Sequence, residues 1–432
     1  MNQAFTGIKI LDFSQVLSAP VAVMQLALLG AEVIKIEQPG VGDQMRRIMN
    51  SGPDTDMSPS FLGMNVNKRS LTLNFREPAA QEIIRKLLVD ADVLVENFKA
   101  GTMTRYGLGY DAVRAIKPDI VYCSVSGFGQ NGPLATNAAY DGAIQASSGM
   151  MAQTGHPESG PTRNGFMPVD MATGIYAAFA IAVSLHRRAT TGLGQYMDVA
   201  MMDTAVLLQA TQFNNYFIQD TVEDLIGNSS QTGIPTADLY ATKDAFLQIT
   251  AIKQSHVEKL FDVISQSEAL ARPEFLTMAS RNENAKLVYD FIENALSTHS
   301  AIYWETHLAD AGVPIARIRK VPDVVSDPQF DTREIFETIA SPITGREQIT
   351  VVKAGFKSNE DGPTVRHSAP HIGEHTTEIL SELGFSEEDI KLFGPMVLFR
   401  CKHFRHRVNG KPCEPERRSR HNIPAVVVSD VG

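Results

Sequence analysis

The apolar positions of the first 130 residues fall in short β-branched runs separated by stretches of helical period. Residues 8–13 (IKILDF), 32–37 (EVIKIE), 70–75 (SLTLNF), 92–98 (DVLVENF) and 120–125 (IVYCSV) read as strands. Between the first two, Ser18 and Pro20 give cap and first-turn signals before the apolar stretch 21–29. An amphipathic stretch at 78–91 and another ending near Pro118 supply further helices. Strands alternating with helices predict βαβ units and a parallel sheet covered on both faces. Ligands in such folds sit at the carboxyl ends of the strands, so the loops 14–19, 97–104 and 126–141 are where a site is expected.

From Asp170 to Arg188 runs a long helical pattern rich in Ala and closed by basic residues, as suits a helix C-terminus. After the Gly192-Leu193-Gly194 break, 196–208 continues apolar into a second helix. Near residue 225 the character changes. A hairpin of 237–241 with 245–252 precedes amphipathic helices near 255–265, 285–298 and 301–311. The expected organisation is a large α/β domain begun by 1–220, a smaller α+β domain at 225–325, a return to the large domain at 330–394, and a tail at 395–432. The tail carries Arg400, Lys402, Arg405, Arg407, Lys411, Arg417, Arg418 and Arg420, and reads as disordered or non-native. Its Cys401, His403, His406 and Cys413 match no usual zinc spacing, so no metal site is expected.

Composition narrows the class without naming it. At 432 residues the chain exceeds the roughly 250–300 that one core sustains. Its 43% hydrophobic and 20% charged residues are those of a globular protein. A net charge of -10 disfavours nucleic-acid binding. No apolar run was found that reaches the roughly 18 residues of a membrane span, and three scattered cysteines suit a reducing compartment, so the cytoplasm is the expected location.

No G-x-G-x-x-G follows the first strand, and the phosphate-loop, zinc-protease and nucleophile-elbow motifs are absent. The informative segment is 165–174 (GFMPVDMATG), which sets Asp170 at the opening of the long helix. There the helix dipole favours an ionised, nucleophilic carboxylate. On local sequence alone, a plain N-cap is the simpler reading.

The ordered marks LDF at 11–13, LGAEVIKIE at 29–37, Gly42-Asp43, NKRS at 67–70, ENF at 96–98, GFGQ at 127–130 followed by Gly132-Pro133, Tyr140-Asp141, Gly192-x-Gly194-Gln195 and GEHT at 373–376 resemble those of the class III CoA-transferases. That family includes formyl-CoA transferase, carnitine CoA-transferase and, as a side branch, the α-methylacyl-CoA racemases. The resemblance spans about residues 5–392 and implies a Rossmann-like large domain, a smaller α+β domain and an interlocked homodimer.

It also implies that Asp170 is the catalytic carboxylate, passing through an acyl-aspartyl anhydride and an aspartyl-CoA thioester. The substrates implied are an acyl-CoA and a carboxylic acid, with no permanently bound cofactor. Coenzyme A is expected along Val16, Leu17, Ser18 and Ala19 and against Leu73, Asn97, Phe98, Arg105 and Tyr140. Lys68 and Arg69 read more simply as a solvated pair. Where the racemase branch places a proton-shuttling His, this chain has Tyr140, which favours transfer. Leu17 in place of glutamine, and no glycine in 251–257 (AIKQSHV), depart from the formyl-CoA transferases and weigh against oxalate as acceptor. A racemase-like isomerase and an inactive CoA-binding protein are the alternatives.

Overall fold

The computed structural model describes residues 3–48 and 56–393; the 395–432 tail and its Cys and His residues lie outside them. The five expected strands are joined by one at 195–200 in a six-stranded parallel sheet: β1 (Lys9–Asp12), β2 (Glu32–Glu37), β3 (Lys68–Thr72), β4 (Val93–Glu96), β5 (Val121–Ser126) and β6 (Gln195–Ala200). Their spatial order is 3-2-1-4-5-6. The order reverses between β1 and β4, so the loops leaving those two strands diverge and open a crevice at their carboxyl ends.

Both faces of the sheet are covered, which is why its strands read as nearly continuous apolar runs. On one face Ile10, Val33, Val93, Val95 and Val121 pack against Ala19, Val23 and Leu26 of α1 (Ser18–Leu28) and Ala177, Ile181 and Leu185 of a long helix, Pro168–Thr191. On the other, Leu11, Ile36, Leu71 and Leu94 meet Ile83, Ile84 and Leu87 of α2 (Pro78–Asp90). Helix α3 (Asp141–Ser147) precedes the long helix, hereafter α4 (Pro168–Thr191).

Two sequence expectations are corrected here. Residues 195–200 are a strand rather than the start of a helix: Tyr196, Met197 and Val199 pair in register with Tyr122, Cys123 and Val125 of β5. Gly192 ends α4 at φ 72°, its amide bonded to the Arg188 carbonyl. A Cβ on Gly194 would lie 2.0 Å from the Ile120 carbonyl oxygen, so only glycine lets the chain turn that close to β5. The second correction concerns α4. It is long and apolar enough by length and composition to cross a membrane, contrary to the expectation that no run reaches that length. Its stripe of Ala177, Ala178, Ile181 and Leu185 is buried in the protein core, whereas Ile175, Phe179 and Val183 are exposed.

A second core forms in residues 240–313. The predicted hairpin is present as Leu239–Ala241 and Phe246–Ile249, extended by Ile315–Arg317 into an antiparallel three-stranded sheet. Helices Gln254–Val263, Ala285–Leu296 and Ala301–Asp310 lie where the periodicity places them and bury Leu260, Phe261, Ile292 and Leu308.

Residues 364–376 run beside β3. Asn67 donates its backbone amide to the His367 carbonyl and its side-chain amide to the Thr364 carbonyl. His375 donates its amide to the Ser70 carbonyl, Gly373 to the Ser70 hydroxyl, and Thr72 donates its amide to the Thr376 hydroxyl.

Candidate active site

The three loops singled out from the sequence converge. Gln15, Val16, Ser18, Asn97, Phe98, Lys99, Ser126, Gly127, Ala139 and Tyr140 line a cavity of about 280 Å³ whose wall also includes Asp170. A larger cavity of about 790 Å³ opens at residues such as Lys9, Glu32 and Asn67, toward the starts of β1 to β3, and does not include Asp170.

Asp170 is the third residue of α4, not its cap; Met167 occupies the N-cap position and makes no side-chain cap. The cap is supplied from outside. Asp141, at the start of α3, accepts hydrogen bonds from the amides of Val169 (2.9 Å) and Asp170 (3.0 Å) through Oδ2. Because Asp141 satisfies these first-turn donors, the Asp170 carboxylate is left for something else. Its Oδ1 accepts a 2.6 Å hydrogen bond from the Ser18 hydroxyl, and Asp170 is only 9% exposed.

Burial, with Asp141 adding to it, pushes the Asp170 carboxyl up to about 6, although the Ser18 hydrogen bond acts downward. The dipole argument made from the sequence is therefore outweighed. Desolvation costs the charged form more than the helix terminus returns, and Asp141 already occupies that terminus.

Gly174 explains how Asp170 reaches Ser18. A Cβ there would sit 2.5 Å from the Ser18 carbonyl oxygen and 2.8 Å from the Val21 side chain. Only glycine one turn after Asp170 lets α4 lie directly against the first turn of α1. Ser18 likewise differs from its expected role. It is the first residue of α1, Leu17 stands at the N-cap, and the Ser18 hydroxyl is spent on Asp170 rather than on capping its own helix.

The loop between β1 and α1 is held from below. Asn97 uses both ends of its amide on Gln15, accepting from the Gln15 amide at 2.8 Å and donating to its carbonyl at 2.7 Å. Asp43 accepts the Val16 amide at 2.9 Å, and Val16 sits at φ 67°. A β-branched residue there costs about 1–3 kcal/mol, sustained by these contacts.

Beneath the loop lies a knot of buried charges. Lys35 lies 3.0 Å from Asp43, bonds the Ser14 carbonyl at 2.7 Å and approaches Asp12 at 3.9 Å. Lys68 meets Asp12 at 2.9 Å. Arg46 grips Glu37 with Nε and Nη2, both at 2.7 Å, and stacks on Phe61. Lys68 is thus buried rather than solvated, as the sequence had suggested, and Arg69 pairs with Glu378 and Glu382.

Of the residues expected to bind coenzyme A, Val16, Ser18, Asn97, Phe98 and Tyr140 line the cavity with Asp170. Tyr140 is 63% exposed. Leu17, Ala19 and Leu73 are buried core residues, and Arg105 is exposed on the short helix Thr102–Arg105; none of the four lines the cavity. Sequence reasoning passed over Asp141, Gly174, Lys99, Gln44 and Met201. The first stood within a quoted mark, and the helical spacing of Gly174 from Asp170 was a usable signal.

The CoA-transferase family III model matches residues 5–376, most of the chain. This chain belongs to CoA-transferase family III. It is 32% identical over 380 residues to the succinyl-CoA:glutarate CoA-transferase of Homo sapiens, covering 87% of this chain and 85% of that one. It is also 32% identical over 385 residues to the acetyl-CoA:oxalate CoA-transferase of Acetobacter aceti, covering 89% and 96%. The crystal structure of a CaiB/BaiF family protein from Brucella suis superposes with a TM-score of 0.80 at 30% identity, over 89% of this chain and all of that one. The family III fold and the transferase class expected from the sequence marks are therefore those of this chain.

Proposed function

We propose that this CoA-transferase moves coenzyme A from an acyl-CoA to a carboxylic acid through covalent intermediates on Asp170. The carboxylate attacks the thioester carbonyl, the carbon–sulfur bond breaks, and CoA thiolate leaves behind an acyl-aspartyl anhydride. The thiolate then attacks the aspartyl carbonyl, releasing the donor acid and forming an aspartyl-CoA thioester. The acceptor carboxylate reverses the sequence. Reactants and enzyme share one functional group, so each exchange is near balance, and the protein supplies position and stabilisation of the oxyanion.

The observation that carries this reading is the Asp170 carboxylate: buried, hydrogen-bonded among the described residues only to a neutral hydroxyl, and on the wall of the cavity at the sheet's switch point. A carboxyl at about 6 is largely ionised at neutral pH yet more basic than a surface aspartate, which suits a nucleophile. The named relatives act on small acids, so succinyl-CoA and acetyl-CoA head the donor panel. Exposed Leu207, Leu208, Phe217, Ile218 and Val222 support a homodimer that covers them, to be checked by sedimentation.

The test is mass spectrometry after incubation with a donor panel and hydroxylamine. A hydroxamate on Asp170 is expected from the wild type and none from Asp170→Asn, with turnover of the variant lower by at least about 10³-fold. An unmodified Asp170 across the panel would sink the mechanism, and donor-dependent α-deuterium exchange would favour an isomerase.

A further inference from the structure

We infer that Ser18 is a catalytic residue that divides the labour of the two Asp170 oxygens, holding Oδ1 as the seat of the oxyanion and leaving Oδ2 to attack. The inference rests on the covalent reading of Asp170 and specifies its chemistry.

The geometry has four parts. The Ser18 hydroxyl is 2.6 Å from Asp170 Oδ1, and both residues line the cavity. Ser18 is 5% exposed, and its side chain caps no helix. Among the described residues Ser18 supplies the only side-chain hydrogen bond that the Asp170 carboxylate accepts. Gly174 fixes the separation, since any side chain there would push the Ser18 backbone away.

In the first step Oδ2 forms a bond to the thioester carbon and the thiolate departs with the carbon–sulfur electron pair. Oδ1 is now the carbonyl oxygen of the aspartyl half of the anhydride. When the thiolate adds to the aspartyl carbonyl carbon, the carbonyl π pair moves onto Oδ1. Collapse restores that carbonyl and expels the donor carboxylate carrying Oδ2. The Ser18 proton stays on Ser18 throughout and faces the atom whose charge rises most. A preplaced donor of this kind stabilises the tetrahedral species more than the ground state. The same bond also favours the ionised nucleophile, opposing both burial and the nearby Asp141 carboxylate.

Removing one such donor lowers turnover by about 100-fold. In Ser18→Ala, the aspartyl-CoA adduct on the Asp170 peptide, read by intact mass in rapid quench with saturating donor, is expected to form about 100-fold more slowly. KM should stay within about threefold. The acid limb of the kcat profile should move to higher pH, because the carboxyl has lost its donor; a role confined to packing would not move it. Ser18→Thr, which keeps the hydroxyl, should recover most of the rate. If Ser18→Ala does not fold, the rate and the limb are read on Ser18→Cys, close in size and a weak donor, with the same expectations in lesser degree. Adduct formation within about threefold of wild type with an unmoved limb would overturn the role of Ser18 alone. No adduct on the wild type would overturn the covalent reading and this inference together.

Discussion

Two groups of buried charge, one drawn from residues 12–68 and the other from Asp141 and Asp170, are built on opposite terms. Under β1, β2 and β3, each acid faces a base: Asp12 meets Lys68, Asp43 meets Lys35, and Glu37 meets Arg46. At the mouth of α4, Asp170 faces a hydroxyl and lies near a second carboxylate, Asp141. Burial raises the Glu37 carboxyl, but the Arg46 guanidinium and its hydrogen bonds more than reverse this and leave it at about 2. Burial prevails at Asp170, with Asp141 adding to it, and the carboxyl stands at about 6. Paired charges hold the loop above them in place; the carboxylate with no cation beside it among the described residues is the proposed nucleophile.

The largest effect on stability should come from breaking the paired side. Lys35→Met leaves Asp43 and Asp12 short of a cation in a fully buried setting and is expected to cost about 3–5 kcal/mol, measured by urea unfolding at pH 7. A loss below about 1 kcal/mol would mean that water reaches the knot.

On the other side the sign reverses. The folded Asp170 carboxyl lies above the ordinary 3.8, so the folded state holds that proton more tightly and stability falls as pH rises from about 4 to about 6. Asp170→Asn removes that slope. At pH 7 the variant should be more stable than wild type by up to about 2–3 kcal/mol, with the difference gone by pH 4. Equal stabilities at both pH values would show that the carboxylate is well solvated. The Glu37 contribution runs the opposite way, fully present above about 4.5 and lost as pH falls through about 2.

The smallest stability change with a functional signature is Gly174→Ala. Crowding Ser18 should cost about 1–3 kcal/mol in thermal or urea unfolding, and turnover should fall while CoA binding by calorimetry holds. Weaker CoA binding at unchanged turnover would place the effect in the loop rather than in the Ser18 contact.

The sheet was legible because buried parallel strands show as continuous apolar runs, and Asp170 was legible because it opens a long helix after Pro168. What escaped was long-range. Nothing local distinguishes a solvated Lys68 from one buried against Asp12, 56 positions away. Asp141, 28 positions before Val169, caps a helix that is not its own. The strand at 195–200 was read as helix because its polar and apolar positions do not alternate cleanly at the edge of the sheet. Marks such as LDF, EVIKIE and NKRS pointed to the right family, while their side chains Asp12, Lys35, Glu37 and Lys68 serve the ionic support of the loop.

The stretch 364–376, hydrogen-bonded along β3, has a consequence for handling the molecule. An uncovered terminal strand is a template on which other chains can extend a sheet. Here the Asn67 and Thr72 amides and the Ser70 carbonyl are already engaged by chain that arrives about 300 residues later. A nascent or truncated polypeptide ending before that return leaves the rim of its largest sheet open, so the tendency to clump during synthesis should drop only once this late segment has zipped into place.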